Sequence, residues 1–342
     1  MDLELLEHTL ADRGEPPFRA RQVWAWIARG ASSYGDMTDL PAPLREALAR
    51  ELPFSSLALQ RESRSRDGTV KALFATADGR PLEAVMMRFR DGRRSICVSS
   101  QSGCPLTCTF CATGAMRFAR NLSASEILEQ ALHFRRESAP GERGAGLTNC
   151  VFMGMGEPML NLDAVLEACE RLPDLGISHR HTTVSTVGWI PGIERLAQTP
   201  MPVRLALSLH AADEALRSEL MPVNERYPLA DVLEACRAHY ERKRRRVYIE
   251  YVMLAGVNDR YEQALALARA LAPSRADATS AFKVNLIPYN PGASSIPYRG
   301  SSRASIAAFR DALQTHGIPA TVRLTRGRDI DAACGQLAAR TA

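Results

Sequence analysis

Residues 100 to 114, SQSGCPLTCTFCATG, decide how this chain is read. They hold Cys104, Cys108 and Cys111, with three residues between the first pair and two between the second. Three thiolates this close can ligate three irons of a four-iron cluster and leave the fourth iron without a protein donor. A cluster that only carries electrons wants four cysteines. An open iron can instead bind a small molecule through its amino and carboxylate groups and pass an electron into it. The competing reading is a zinc knuckle, but that fold uses paired short spacings and a fourth Cys or His, and no second such pair lies nearby.

The rest of the composition is that of a soluble globular protein, with 46% hydrophobic and 24% charged residues. At 342 residues the expectation is one large catalytic domain with a small appendage. No apolar run reaches membrane-spanning length, and MDLELLEHTLADRG is acidic where a signal peptide is basic and then apolar, so a cytoplasmic protein without membrane attachment is expected. Eight cysteines, three of them bunched, fit metal or catalytic thiols in a reducing compartment better than a disulfide scaffold. The net charge of +5 is a modest bias toward polyanionic partners. RESRSRD (61–67), RFRDGRR (88–94) and ERKRRR (241–246) could each contact phosphates, although taken singly each reads more simply as solvated surface.

Upstream of the cysteines, residues 3–12 and 18–28 have helical periodicity, a third helix starts near Pro41, and residues 69–90 read as a hairpin broken at ADGR. Downstream, short apolar runs at 96–100, 148–154, 181–187, 203–210, 247–254 and 282–289 alternate with amphipathic stretches such as 123–137, 161–172, 228–243, 259–271 and 302–315. Ser123 with Glu126 three residues on is a capping box. Six strand-helix units in series predict an α/β fold, a partial (β/α)6 TIM-like barrel with an open side through which a bulky substrate can approach. The expected division is a helical accessory unit at 1–75, a connecting hairpin at 76–95, the barrel at 96–320, and a C-terminal strand and mobile loop at 321–342.

Barrel enzymes place their chemistry after the carboxyl ends of strands, and the cysteine loop follows the first. MGMGEP (153–158) follows the second, with glycines such as Gly156 for close backbone approach and Glu157 to accept from an ammonium group. Ser185, Ser208 and Asn290 could make short polar contacts to a ligand, though each is more often a turn or cap residue, and His210 is either a ligand contact or a satisfied rim histidine. Cys150, Cys169 and Cys236 lie in periodic segments and read as small buried hydrophobes. Cys334 differs, lying in a loop between Gly327 and Gly335, as does Cys97, seven residues before the cluster motif.

Taken together, CVSSQSGCPLTCTFCATG with Phe110 before its third cysteine, RNLSASEIL, MGMGEP, HTTVSTVG, LALSLHA, NLIPYNP and RLTRGRDIDAACGQL resemble the RlmN/Cfr family of radical S-adenosylmethionine (SAM) RNA methyltransferases, and specifically its RlmN branch. The likeness extends to FRARQVWAWI near the amino end. It implies a radical SAM barrel and methylation of carbon 2 of adenine in 23S rRNA and in certain tRNAs, with RNA contacts on the accessory unit. It implies a [4Fe-4S] cluster on Cys104, Cys108 and Cys111, and two SAM molecules per turnover, bound among Gly156, Glu157, Ser185, Ser208, Leu209, His210 and Asn290. It further implies Cys334 as methyl carrier, activated by a 5′-deoxyadenosyl radical, Cys97 as the resolving thiol and Glu83 as proton acceptor, in a monomer fed by a flavodoxin-type reductant. A one-residue difference in spacing between Glu83 and Cys97, and Arg117 where relatives commonly carry glycine, depart from the pattern. The alternatives are carbon-8 methylation, as in the Cfr branch, and a non-catalytic RNA-binding protein whose cysteines hold zinc.

Overall fold

Seven apolar segments too short for helices become the parallel half of a mixed ten-stranded sheet. The computed structural model describes residues 1–137, 146–272, 280–291 and 296–339. Three helices come first: α1 (Leu3–Asp12), α2 (Phe18–Arg29) and α3 (Ala42–Glu51). An antiparallel meander follows, formed by β1 (Leu57–Arg64), β2 (Val70–Thr76), β3 (Pro81–Arg88) and β4 (Arg94–Cys97). The hairpin expected over 69–90 is β2 and β3, paired from Val70 against Met86 to Ala75 against Pro81. The sheet begins at β1, inside the first 75 residues, and runs through β4 into the barrel strands without a break.

Beyond β4 the two-residue strands β5 (Gln101–Ser102) and β6 (Arg120–Asn121) pair with each other and close the base of the cysteine loop. The main sheet then continues in chain order through β7 (Asn149–Phe152), β8 (Thr182–Thr186), β9 (Arg204–Ser208), β10 (Val247–Met253), β11 (Phe282–Pro288) and β12 (Ala320–Val322), each parallel to its predecessor, with β7 parallel to β4. The crossovers carry α4 (Ala124–Arg136), α5 (Leu162–Arg171), α6 (Ile190–Gln198), α7 (Glu214–Leu220) with α8 (Leu229–Lys243), α9 (Tyr261–Leu271) and α10 (Arg303–Thr315). Sequential parallel neighbours with helical crossovers build one curved layer. Its edges β1 and β12 do not pair, so the barrel is incomplete, as expected from six strand-helix units. Crossovers on one face and the barrel interior on the other enclose these strands, so that every residue of β8 is buried although Thr182, Thr183, Ser185 and Thr186 are polar.

Local chemistry sets the helix starts. Ser123 Oγ accepts the Glu126 N–H at 3.1 Å and Glu126 Oε2 accepts the Ser123 N–H at 2.9 Å, completing the capping box of α4. The amino-terminal helices bury Leu6, Val23, Ile27 and Leu48 in the same apolar core as the barrel. Trp24 Nε1 donates to Asp174 Oδ2 at 2.7 Å, in the short 3-10 turn after α5.

The open side is crossed by the C-terminal segment. After β12, Gly327 N–H donates to Asp67 Oδ2 at 3.0 Å, Lys71 Nζ to the Asp331 carbonyl at 3.1 Å, and the N–H groups of Ala338 and Ala339 to Glu83 Oε2 at 3.0 and 3.1 Å. These bonds join the β12 end of the sheet to the turn before β2 and to β2 and β3.

Because helices and barrel share one core, Ile27→Ala should destabilise the whole protein by about 2–4 kcal/mol. Urea unfolding followed by tryptophan fluorescence and by circular dichroism should show both midpoints falling together. A separate early transition of the helices, with the barrel midpoint unmoved, would contradict the shared core.

Candidate active site

All the barrel strands from β4 to β11 contribute, on themselves or just beyond their carboxyl ends, to one cavity. It is walled by Cys104, Cys108 and Cys111 from the loop after β4, Gly156 and Glu157 after β7, Ser185 on β8, Ser208 and His210 at the end of β9, Glu250 on β10, Tyr289 after β11, and Cys334 from the C-terminal segment. The cysteine loop is tied down along its length. Cys111 N–H donates to the Cys108 carbonyl at 3.1 Å, Thr109 N–H to Leu220 at 3.0 Å, and Ala112 N–H to Gly335 at 2.8 Å, while Thr113 Oγ1 donates to the Leu337 carbonyl at 2.6 Å. Thr107 adopts a left-handed φ of 44°, a strained conformation for a β-branched residue, which these bonds hold in place. Arg117 causes no distortion. Its φ is not left-handed and its side chain is exposed, so glycine is not required there.

The donor set suits an iron-sulfur cluster. Burial pushes the Cys104 thiol up to about 12 and Cys108 well above its usual value, with repulsion from neighbouring thiolates adding to each. Three thiolates cannot coexist in that setting without a cationic group to bind. Zinc would draw its thiolates to within roughly 4 Å of one another, given Zn–S bonds of about 2.3 Å. The described residues that place three such donors within 4.8 Å of one another are Glu62, His133 and Glu137, on and around β1 and α4, and not the three cysteines. That wider separation disfavours the zinc alternative. His210 is no zinc ligand either. Its Nδ1 accepts the Val252 N–H at 3.0 Å, so the proton sits on Nε2, and burial pushes its pKa down to about 3.

Glu157 is buried, with Oε1 accepting the Met159 N–H at 3.1 Å and Oε2 the Val187 N–H at 3.0 Å. Burial raises its carboxyl to about 7, so a cation arriving in the cavity would restore the carboxylate. Gly156 has φ +94°, and a Cβ there would lie 2.5 Å from Gln101 Cβ. Ser185 and Ser208 hold their hydroxyls 3.4 Å apart on adjacent strands. Leu209 has a fully buried side chain outside the cavity lining, so its backbone is what it can offer a ligand.

A second, smaller cavity adjoins the first, and Cys334 lines both. This one holds Cys97, Asn290 and Arg323. Burial pushes Cys97 up to about 12 and raises Cys334 as well, while the Arg323 guanidinium pulls both back. Arg323 is paired with Glu250 at 3.2 Å, and Glu250 also accepts from Asn285 Nδ2 at 2.8 Å. Asn290 lines this second cavity and not the main one, and its buried Oδ1 has no partner among the described residues. Glu83 lines neither cavity. Its Oε1 pairs with Lys71 at 3.0 Å and its Oε2 holds the Ala338 and Ala339 amides, anchoring the C-terminal segment.

Sequence reasoning passed over Arg323 and Glu250. The acid was visible as a lone charge within the apolar run VYIEYVML, which in a buried strand demands a partner.

Gly156→Ala should lower stability by about 1–3 kcal/mol from the left-handed backbone alone, and more if Gln101 cannot yield, since Gln101 Oε1 also accepts the Glu157 N–H. A denaturant midpoint equal to that of the parent protein would disprove the steric argument.

The radical SAM superfamily model matches residues 98–268, and that of the ribosomal RNA large subunit methyltransferase N-terminal domain matches residues 1–52. The chain is 48% identical over 347 residues to the probable dual-specificity RNA methyltransferase RlmN of Chloroflexus aurantiacus, covering 99% of this chain and 92% of that protein. It is 47% identical to the dual-specificity RNA methyltransferase RlmN of an Anaeromyxobacter species, covering 99% and 89%. The crystal structure of a radical SAM methyltransferase from Sphaerobacter thermophilus superposes with a TM-score of 0.91 at 44% identity, covering 99% of this chain and 98% of that one. With this identity over nearly its whole length, the chain belongs to the RlmN family of radical SAM RNA methyltransferases, enzymes that use a [4Fe-4S] cluster and SAM.

Proposed function

We propose that this enzyme methylates carbon 2 of adenine in 23S rRNA and in certain tRNAs, with the methyl group travelling on Cys334. The observation that carries this reading is the position of Cys334 on the wall shared by two cavities, one bearing the three cysteines and the other bearing Cys97. Cys104, Cys108 and Cys111 would hold the cluster. Glu157 would take the ammonium of the methionine moiety of SAM, and Gly156, Ser185, Ser208, the Leu209 backbone and His210 would line its remaining contacts, with Asn290 left to the adjoining cavity. The cluster supplies the electron that splits SAM into methionine and the 5′-deoxyadenosyl radical.

Carbon 2 of adenine is electron-poor, so it cannot attack a sulfonium methyl as a thiolate does, and a thiol carrier divides the task. The Cys334 thiolate takes the methyl by displacement, forming a thioether as the carbon-sulfonium bond breaks with its electron pair returning to SAM sulfur. The 5′-deoxyadenosyl radical would take a hydrogen atom from the Cys334 S-methyl group and leave as 5′-deoxyadenosine, and the carbon radical so formed would join carbon 2 of adenine. The adduct would then lose its unpaired electron, which the cluster could take back, and its ring proton, which Glu83 would accept after Ala338 and Ala339 lift from its carboxylate. Cys97 then attacks Cys334 sulfur, and a disulfide forms. The carbon-sulfur electron pair passes to the new methyl carbon, which takes up a proton. Arg323 favours both thiolates in this exchange. The target base must leave its stack to bring a ring carbon up to a thiol on the cavity wall, and the amino-terminal helices with the basic clusters would hold the surrounding RNA. We place the enzyme in the cytoplasm as a monomer served by a flavodoxin-type reductant. Among the described residues no helix is long and apolar enough to cross a membrane.

Cys334→Ala should retain the cluster but yield no methylated RNA, read by mass spectrometry of nucleosides after incubation with each RNA class. Recovery of 8-methyladenosine alone from the parent enzyme would transfer the chain to carbon-8 chemistry. Cys97→Ala should accumulate a protein-RNA adduct. Because burial raises both thiols, the adduct of the parent enzyme should decay faster as pH rises from about 7 to 9 and the attacking thiolate becomes populated. An adduct lifetime independent of pH would argue against thiolate attack.

A further inference from the structure

Arg217, on α7, has none of its surface exposed. A guanidinium stays charged in a protein, so a full positive charge sits inside the molecule. Its Nη2 donates to the Val187 carbonyl at 2.7 Å and its Nη1 to Asn224 Oδ1, while Nε has no partner among the described residues. Within those residues no carboxylate lies in ion-pair contact with it. Glu214 reaches it only through Asn224, whose Nδ2 donates to Glu214 Oε2 at 2.7 Å. A buried cation with an idle donor is costly unless an anion compensates it nearby.

The neighbours of Arg217 point to that anion. Leu216, Leu220 and Met221 on and beside α7 pack with Phe110, Cys108 and Cys111 of the cysteine loop, and Thr109 N–H donates to the Leu220 carbonyl at 3.0 Å. Val187, whose carbonyl Arg217 holds, gives its own N–H to Glu157. The guanidinium thus holds the segment that donates to Glu157, its helix lies against the cysteine loop through Leu220, and its field reaches Cys108 and His210.

We propose that Arg217 is the built-in counter-charge of the iron-sulfur cluster and sets its midpoint potential. The inference rests on the assignment of the cluster to Cys104, Cys108 and Cys111. Arg217 touches neither thiol nor substrate and acts through the field, as a positioning residue. A cluster held by three thiolates is an anion, and one-electron reduction adds a further negative charge. A buried cation, little screened by solvent or salt, stabilises the reduced form more than the oxidised one and raises the potential.

The test is a redox titration of the full-length, anaerobically reconstituted enzyme, followed by the electron paramagnetic resonance signal of the reduced cluster. Arg217→Met should lower the ratio of reduced to oxidised cluster at fixed solution potential about tenfold, a fall of about 59 mV. Arg217→Lys should stay within about twofold of the parent ratio. Glu214→Gln, which removes an opposing charge, should shift the midpoint upward. Loosened packing has no reason to give opposite signs in these variants. An unmoved midpoint in a fully loaded Arg217→Met protein, a lysine variant falling as far as methionine, or a downward shift in Glu214→Gln would each overturn the proposal. If the methionine variant does not fold, the lysine and Glu214→Gln arms decide alone. A parent protein that takes up no four-iron cluster sinks the cysteine assignment itself, and the inference with it.

Discussion

The architecture of this enzyme depends on a clamp between two segments more than 200 residues apart in sequence. Ala112 N–H to the Gly335 carbonyl and Thr113 Oγ1 to the Leu337 carbonyl fasten the end of the chain onto the cysteine loop. Both donors lie within three residues of Cys111, and both acceptors within three of Cys334. The curved sheet creates the cavity, but this clamp makes the cavity a site for thiol chemistry. The far side of the same segment is moored on β2, on the turn before it, and on β3, through Lys71, Asp67 and Glu83.

Electrostatics follow from this enclosure. Cys97, Cys104, Cys108 and Cys334 all have thiols raised by burial. Such thiols are inert until something positive approaches. Nature of the approach differs between the groups: metal for the loop cysteines, and Arg323 for the pair that would exchange. Buried acids follow the same rule. Glu250 is neutralised by Arg323, Glu83 by Lys71, and Glu157, lacking a cation, has its carboxyl raised.

Much of the fold was legible because most barrel strands are short, largely apolar runs and their crossover helices are amphipathic, so the change of rhythm after Arg90 marks where the barrel begins. Helix α6 was not legible, since IPGIERLAQ opens with Pro191 and Gly192, which obscure the period, and seven-residue α7 is too short to show one. Strand β1 was legible only as an extended segment after the third helix, without bounds, because LALQRESR is mostly exposed at a sheet edge and carries no clean alternation. The cysteine spacing announced itself. The meeting of Cys97 with Cys334 did not, because the cavity they share is assembled by tertiary contacts that no local pattern encodes, and only resemblance pointed to it. The partners of Glu83 escaped for the same reason, being 255 and 256 residues away.

The moorings of the C-terminal segment also act as a leash. Cys334 stands three residues after Asp331, whose carbonyl is held by Lys71, and three before Leu337, whose carbonyl is held by Thr113. The Gly335 carbonyl, held by Ala112, is nearer still, one residue from Cys334. One residue spans at most about 3.6 Å, so with its moorings in place the thiol is confined to the wall between the two chambers, and reaching further into either would require side-chain rotation or release of the Gly335 bond.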